Sequence, residues 1–391
     1  MAQGYSMRSR SRLFVLFVSI PVIAFAVIGG FMGKAMAREE SYQYLRIFED
    51  VVTLIMNNYV EDVNPDKVMH GAMHGLADGL DPDSAYLDIA QAKAYEKNDA
   101  LGAGRTGLEL TRQYYLRVIA ARDGSPAAKA GLRPGDYVRA IDGQSTRDTS
   151  VYEGIRALAG KPGTKVTLTV LRGNAAEPHT IEVVREELAP VAIKGRVVPP
   201  STGYLRVPEF GNNAADQIKS EINSLTKAGA TSLVIDLRGT AFGELESGLT
   251  SARLFVPSGT LAFRQEKGKL KEPIAAASGD GNITLPLALL TDNGTSGAAE
   301  LFVAALTGNK RASTIGERTL GRAARQRFVR LPDGSGLVLT YLLYLTPGEA
   351  VINEKGLTPE VAVEQPDVEF GEPRPATDAT LDKAIEHLKK K

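Results

Sequence analysis

The chain has 391 residues, 43% of them hydrophobic and 24% charged, a length suited to two or three globular units rather than one. Its 46 basic and 46 acidic side chains balance, and no basic run with interleaved aromatics appears, so nucleic acid is excluded as a natural partner. There is no cysteine, which removes disulfides, thiolate nucleophiles and sulfur-ligated metals together.

Residues 1–40 read as a targeting segment. Arg8, Arg10 and Arg12 precede an uncharged apolar run from Leu13 to Gly33, long enough as a helix to span the ~30 Å hydrocarbon layer. The arginines place the N-terminal side in the cytoplasm and everything after Lys34 outside it. An uncleaved anchor is one expectation; cleavage at the small-residue site near Ala37, releasing a periplasmic or secreted protein, is the other.

Residues 41–94 predict a helical pair. From Tyr42 to Tyr59, apolar residues recur at Leu45, Phe48, Val51, Val52, Ile55 and Tyr59, the spacing of one buried stripe. Asn64 as cap and Pro65 at the first helical position open a second helix, with Val68, Met69, Ala72, Met73 and Leu76 as its apolar face. His70 and His74 share a helix face. Gly71 stands where a zinc peptidase needs Glu and no third ligand is indicated, so they read as ordinary histidines and no metal or cofactor is expected. Asp81-Pro82-Asp83 ends the helix.

Residues 95–186 change texture to short strands and turns. Strands are predicted over Tyr114 to Ala121, Lys165 to Arg172 and Thr180 to Arg185. Between them, Gly124 to Asp136 leads through Tyr137-Val138-Arg139-Ala140-Ile141 into Asp142-Gly143, a one-turn helix followed by a tight hairpin. This string resembles the signature of a PDZ domain, and the resemblance covers the unit. Such a domain adds an extended peptide to an open sheet edge and catches its C-terminal carboxylate on backbone N–H groups. The resemblance puts Arg105, Thr106, Gly107 and Leu108 in the carboxylate loop, with Val151 and Ile155 on the helix forming the other wall of the groove. Arg105 either adds charge to that loop or is an exposed arginine without such a role.

Residues 187–372 read as an α/β body. Strands are predicted over Thr202 to Val207, Ser232 to Leu237 and Leu285 to Thr291, and helices over Ala214 to Thr226 and Ala298 to Leu306. Asp292-Asn293-Gly294 turns sharply from strand to helix, where α/β enzymes often set a nucleophile. Residues 373–391 form a C-terminal tail with a helix. The fold class is therefore multi-domain α/β: membrane segment, helical pair, β-rich PDZ unit and peptidase-like core.

The order of these units resembles the carboxyl-terminal processing peptidases. Leu80 to Leu87 is similar to the family's L-D-P-H-S-S-Y-L, Leu233 to Arg238 to its strand ending D-L-R, and Gly294 to Glu300 with Asn309 to Ala312 to G-T-A-S-A-S-E and its following helix. Tyr344 to Pro347 with Lys355 to Pro359 is similar to its closing hairpin. The resemblance implies a serine nucleophile, a neutral lysine base and a glutamine that orients the lysine. Carried over residue by residue, the nucleophile position holds Gly297, the base position Arg322, and Gln326 alone survives. A guanidinium does not give up its proton near neutral pH. In the oxyanion loop Phe242, beside Gly243, replaces a glycine where the backbone must approach an acyl oxygen. The four histidines, His70, His74, His179 and His387, read as lying outside the α/β body, which removes a classical triad.

The resulting expectation is a non-catalytic protein holding peptide C-termini of extracytoplasmic or membrane proteins, as scaffold or regulator, alone, as a homo-oligomer or paired with an active relative. The alternatives are a working endopeptidase with displaced catalytic groups, Ser296 being the substitute nucleophile, and a structural subunit of a membrane complex.

Overall fold

The computed structural model describes residues 42–390 apart from 98–100, 174–176, 367, 373 and 374. The apolar run Leu13 to Gly33 lies outside the described residues. Within them no helix is long and apolar enough to cross a membrane. The chain divides into two compact units, residues 1–73 and 74–391.

In the first unit, residues 42–58 are helical as the periodicity predicts. The stripe is not buried, however: Leu45, Val51, Ile55 and Tyr59 are exposed, so the expected inward face is corrected to an open one. Periodicity reports which residues share a face, not whether anything covers it. The second helix is Pro65–Asp78, and Asn64 Oδ1 accepts the Lys67 N–H at 3.2 Å, the expected cap. Leu76, assigned inward, is exposed, and Ala77 is buried instead.

In the second unit the β-rich part is one antiparallel sheet in the order Leu108–Gln113, Tyr115–Ala121, Tyr137–Ile141, Lys165–Leu171, His179–Val184. Alternation along Lys165–Leu171 buries Val166, Leu168 and Val170. Asp142 and Gly143 carry φ of +48° and +79°, the paired left-handed residues of a tight hairpin turn. The helix Val151–Leu158 starts at a capping box of Ser150 and Glu153. It lies so close to the sheet that a Cβ at Gly154 would come within 2.4 Å of Leu116 Cδ1. The strand Leu108–Gln113 is left at the sheet edge, facing that helix.

The α/β body is built on a second sheet in the order Val361–Ala362, Ser313–Gly316, Leu287–Thr291, Ser232–Asp236, Thr202–Arg206, Lys194–Val198, parallel except for the last pair. Leu287–Thr291 is buried at all five positions, as a strand covered on both faces must be. Ala214–Lys227, Leu245–Ala252 and Ala298–Gly308 pack their apolar side chains into one core with one face of the sheet. On the other face Ala379–Leu388 buries Leu381, Ala384 and Leu388 against Val234, Ala288, Leu290 and Ile315. His387 rides on that helix and its Nε2 lies 3.1 Å from Ser313 Oγ. Its expected place outside the α/β body is thereby corrected: the terminal helix carries too much apolar surface to stay in solvent.

An antiparallel sheet completes the body. Gly336–Leu345 is its central strand, paired with Ala85–Leu87, Ala324–Arg330 and Thr260–Glu266. Through Ala85–Leu87 the segment that begins Asp81-Pro82-Asp83 is woven into the body.

Candidate functional site

The turn from Leu287–Thr291 into Ala298–Gly308 sets up the candidate catalytic centre. Asp292 Oδ1 accepts the N–H groups of Gly239 (2.8 Å) and Gly294 (3.0 Å) and the Thr295 hydroxyl (3.1 Å), which pulls the turn against the strand end that carries Arg238. Gly297 then takes φ +62° and ψ −119°, a conformation costly for any side-chain-bearing residue. From Ala298 to Leu306 every residue is buried, including Glu300. Among the described residues Glu300 forms no ion pair. Its Oε2 accepts the N–H groups of Gly297 (3.1 Å) and Arg322 (2.7 Å), and its Oε1 accepts the Gly321 N–H (2.6 Å) and the Thr319 hydroxyl (2.5 Å). Burial pushes this carboxyl above its ordinary value, against those four hydrogen bonds. One side chain thus holds the backbone of positions 297 and 322 in fixed relation. An acidic residue three past a helix start is the mark that Glu300 carries in the sequence.

At the position that the resemblance assigns to the base, Arg322 Nε donates to Asp83 Oδ2 at 3.0 Å, and Nη1 meets Glu109 Oε1 at 2.5 Å. Nη2 lies 2.8 Å from Asp83 Oδ1, an ion contact rather than an aligned hydrogen bond. Burial pulls against the guanidinium charge, and the carboxylates of Asp83 and Glu109 outweigh it, holding its pKa above the ordinary value. Asp83 stands where the family string carries His. Gln326 points elsewhere and donates to Thr340 Oγ1 at 3.2 Å.

Ser296, the alternative nucleophile, is 1% exposed and its Oγ has no hydrogen-bond partner among the described residues. In the loop expected to form the oxyanion site, Phe242–Gly243 pairs in parallel with Glu209–Phe210. A Cβ at Gly243 would come within 2.2 Å of the Phe210 carbonyl oxygen, so only glycine fits there. Phe242 is half-buried beside it.

The PDZ unit presents the second candidate site. Thr106 and Leu108 are buried, Gly107 has φ +82°, and a Cβ there would strike Ser125 Cβ at 2.2 Å. Among the described residues the N–H groups of Thr106 and Gly107 meet no backbone carbonyl, leaving two donors at the head of the edge strand. Val151 is buried and Ile155 partly so, both packed with Leu108 and Leu110. Arg105 turns away: its guanidinium donates to the carbonyls of Gly102 and Gly104, which favours the reading without a carboxylate role. His74, raised as a metal candidate, packs edge-on against Tyr86 at 5.4 Å.

Comparison with known proteins agrees with this organisation. The model of peptidase family S41 matches residues 201–363, and that of a PDZ domain matches residues 117–172. The carboxyl-terminal-processing protease of Synechocystis sp. is 33% identical over 277 residues, 70% of this chain and 65% of its own length. The carboxy-terminal-processing protease of Bartonella bacilliformis is 30% identical over 336 residues, 84% of this chain and 77% of its length. The carboxy-terminal processing protease of Bacillus subtilis is 29% identical over 315 residues, 80% of this chain and 67% of its length. The chain therefore spans about two thirds to three quarters of these relatives. Among solved structures, the photosystem II D1 C-terminal processing protease superposes with a TM-score of 0.67 at 25% identity, over 81% of this chain and 92% of the other. A PDZ unit, a parallel-sheet body and this extent of identity together place the chain in the PDZ-containing carboxyl-terminal processing protease family of S41 peptidases.

Proposed function

We propose that this family member binds C-terminal segments of proteins without cleaving them, on the extracytoplasmic side of a membrane to which residues 1–40 direct it. The observation that carries the reading is the guanidinium at the base position, engaged by two carboxylates, opposite a nucleophile position with no hydroxyl. Such a pair supplies neither proton acceptor nor attacking oxygen. The intact groove supports the binding half: an edge strand, free N–H groups at its head and apolar side chains along the facing helix are what strand addition of a peptide requires. The purified chain should leave a fluorophosphonate serine probe unreacted, and should bind a peptide with an apolar last residue and free carboxylate more tightly than its C-terminal amide. Probe labelling, or equal affinity for the two peptides, refutes the corresponding half. A reporter fused after residue 40 should be active only outside the cytoplasm; cytoplasmic activity would refute the location.

One observation favours a second reading, a working endopeptidase: the buried, unpartnered hydroxyl of Ser296. Under that reading Ser296→Ala abolishes cleavage of an unstructured substrate while the fold is retained.

A further inference from the structure

Arg322 is reached by three separate stretches of chain. Its own loop is fixed to the body through Glu300, Asp83 belongs to the segment leading into the body strand Ala85–Leu87, and Glu109 lies on the PDZ strand that borders the peptide groove. Glu109 is 213 residues away in sequence and Asp83 239, and both reach the same guanidinium within 3.0 Å. We infer that Arg322 acts as a mechanical pin, fastening the peptide-accepting edge of the PDZ unit to the peptidase body at the former base position, so that groove and body move as one piece.

The chemistry of the residue suits that task. An arginine fork offers separate N–H groups to two carboxylates at once, whereas a lysine ammonium is a point charge on a flexible stem. The contact does not stand alone. Arg122 of the PDZ unit pairs with Glu209 at 2.5 Å, and Asp123 with Arg206 of the body at 3.0 Å. A Cβ at Gly294, beside the nucleophile turn, would come within 2.7 Å of Pro134 Cγ, so the two surfaces are in close contact there. Of these contacts, the one at Arg322 engages the bordering strand itself, Glu109 being its second residue. The inference rests on the position of that side chain, independently of whether the peptidase site is silent.

The absence of cysteine allows a direct test. Spin labels on cysteines placed at the exposed positions Lys161, in the PDZ unit, and Lys227, in the body, report the distance between them in the full chain. The parent should give one narrow distance. Glu109→Gln removes the PDZ half of the pin, and Arg322→Lys keeps the charge but loses the fork; each should raise the displaced population about tenfold. The double variant should do no more than either alone, since both break the same contact. Circular dichroism melting confirms that each variant folds. An unchanged distance distribution in folded Glu109→Gln and Arg322→Lys, even with a lowered melting temperature, would reduce Arg322 to a local structural ion pair and overturn the inference. Fluorophosphonate labelling of the parent would refute the non-catalytic reading while leaving this one standing.

Discussion

Placing a serine at Gly297 tests the site geometry directly, because the structure separates the two ways the change can fail. A Cβ at this position would lie 3.7 Å from Leu245 Cδ2 and 3.8 Å from the Arg322 carbonyl oxygen, ordinary contact distances, so the side chain has room. The cost is in the backbone: φ +62° with ψ −119° is sparsely populated for any residue but glycine and carries about 1–3 kcal/mol. At roughly 2 °C per kcal/mol for a unit of this size, Gly297→Ser should lower the melting temperature by about 2–6 °C. Gly297→Ala should fall by the same amount, since the strain belongs to the backbone and not to the hydroxyl. The serine variant should still ignore a fluorophosphonate probe, because Arg322 takes no proton, whereas Gly297→Ser with Arg322→Lys should gain weak reactivity. Melting followed by circular dichroism decides the first point. No loss of stability, or a loss above about 10 °C, would show that the turn does not have this conformation or that the space is not there.

Glu300→Gln turns an amide NH2 toward backbone donors that now point at a carboxylate, and should cost about 3 kcal/mol in urea unfolding; a loss under about 1 kcal/mol would remove Glu300 from its place as the site's hub. Gly243→Ala drives a methyl into the Phe210 carbonyl and should destabilise by at least about 3 kcal/mol; a neutral result refutes the pairing of Phe242–Gly243 with Glu209–Phe210. Asp236 is buried, but the Arg238 fork outweighs that burial and holds its carboxyl below the ordinary range. Its contribution is therefore complete above the unfolded value near ~4 and is lost as pH falls through the depressed folded value. Asp236→Asn should lower stability at pH ~7 and flatten the decline below pH ~4 seen in the parent, and parallel urea midpoints of the two proteins across that range would refute it.

What could be read from sequence followed the range of the interactions. The hairpin at Asp142-Gly143 and the helix Val151–Leu158 are specified within a few residues, by left-handed turn positions and a capping box. Gly297 and Arg322 could be singled out because the motif strings that resemble the family mark their positions. What Arg322 touches was not: Asp83 and Glu109 carry no local mark of a shared partner more than two hundred residues away. The same limit explains His387, whose helix is short and amphipathic but whose destination on the sheet depends on the opposite face being uncovered. Over residues 42–58 the periodicity gave the right helix and the wrong burial, because an apolar stripe states a need for cover and does not supply it.

The arrangement around Glu300 holds the backbone of the candidate site independently of the side chains at 297 and 322. Its carboxylate holds the N–H groups of residues 297 and 322, groups that every residue but proline carries, so the frame is indifferent to the side chains standing there. The strained turn at 297 is tolerated more easily by glycine than by serine, and the half-buried position 322 accepts arginine with Asp83 and Glu109 facing it. Glycine at 297 and arginine at 322 therefore leave the backbone frame in place, and on the proposed reading they leave the site without a nucleophile or a base. Agreement in fold with processing proteases follows from this backbone frame, whereas activity depends on the side chains it carries.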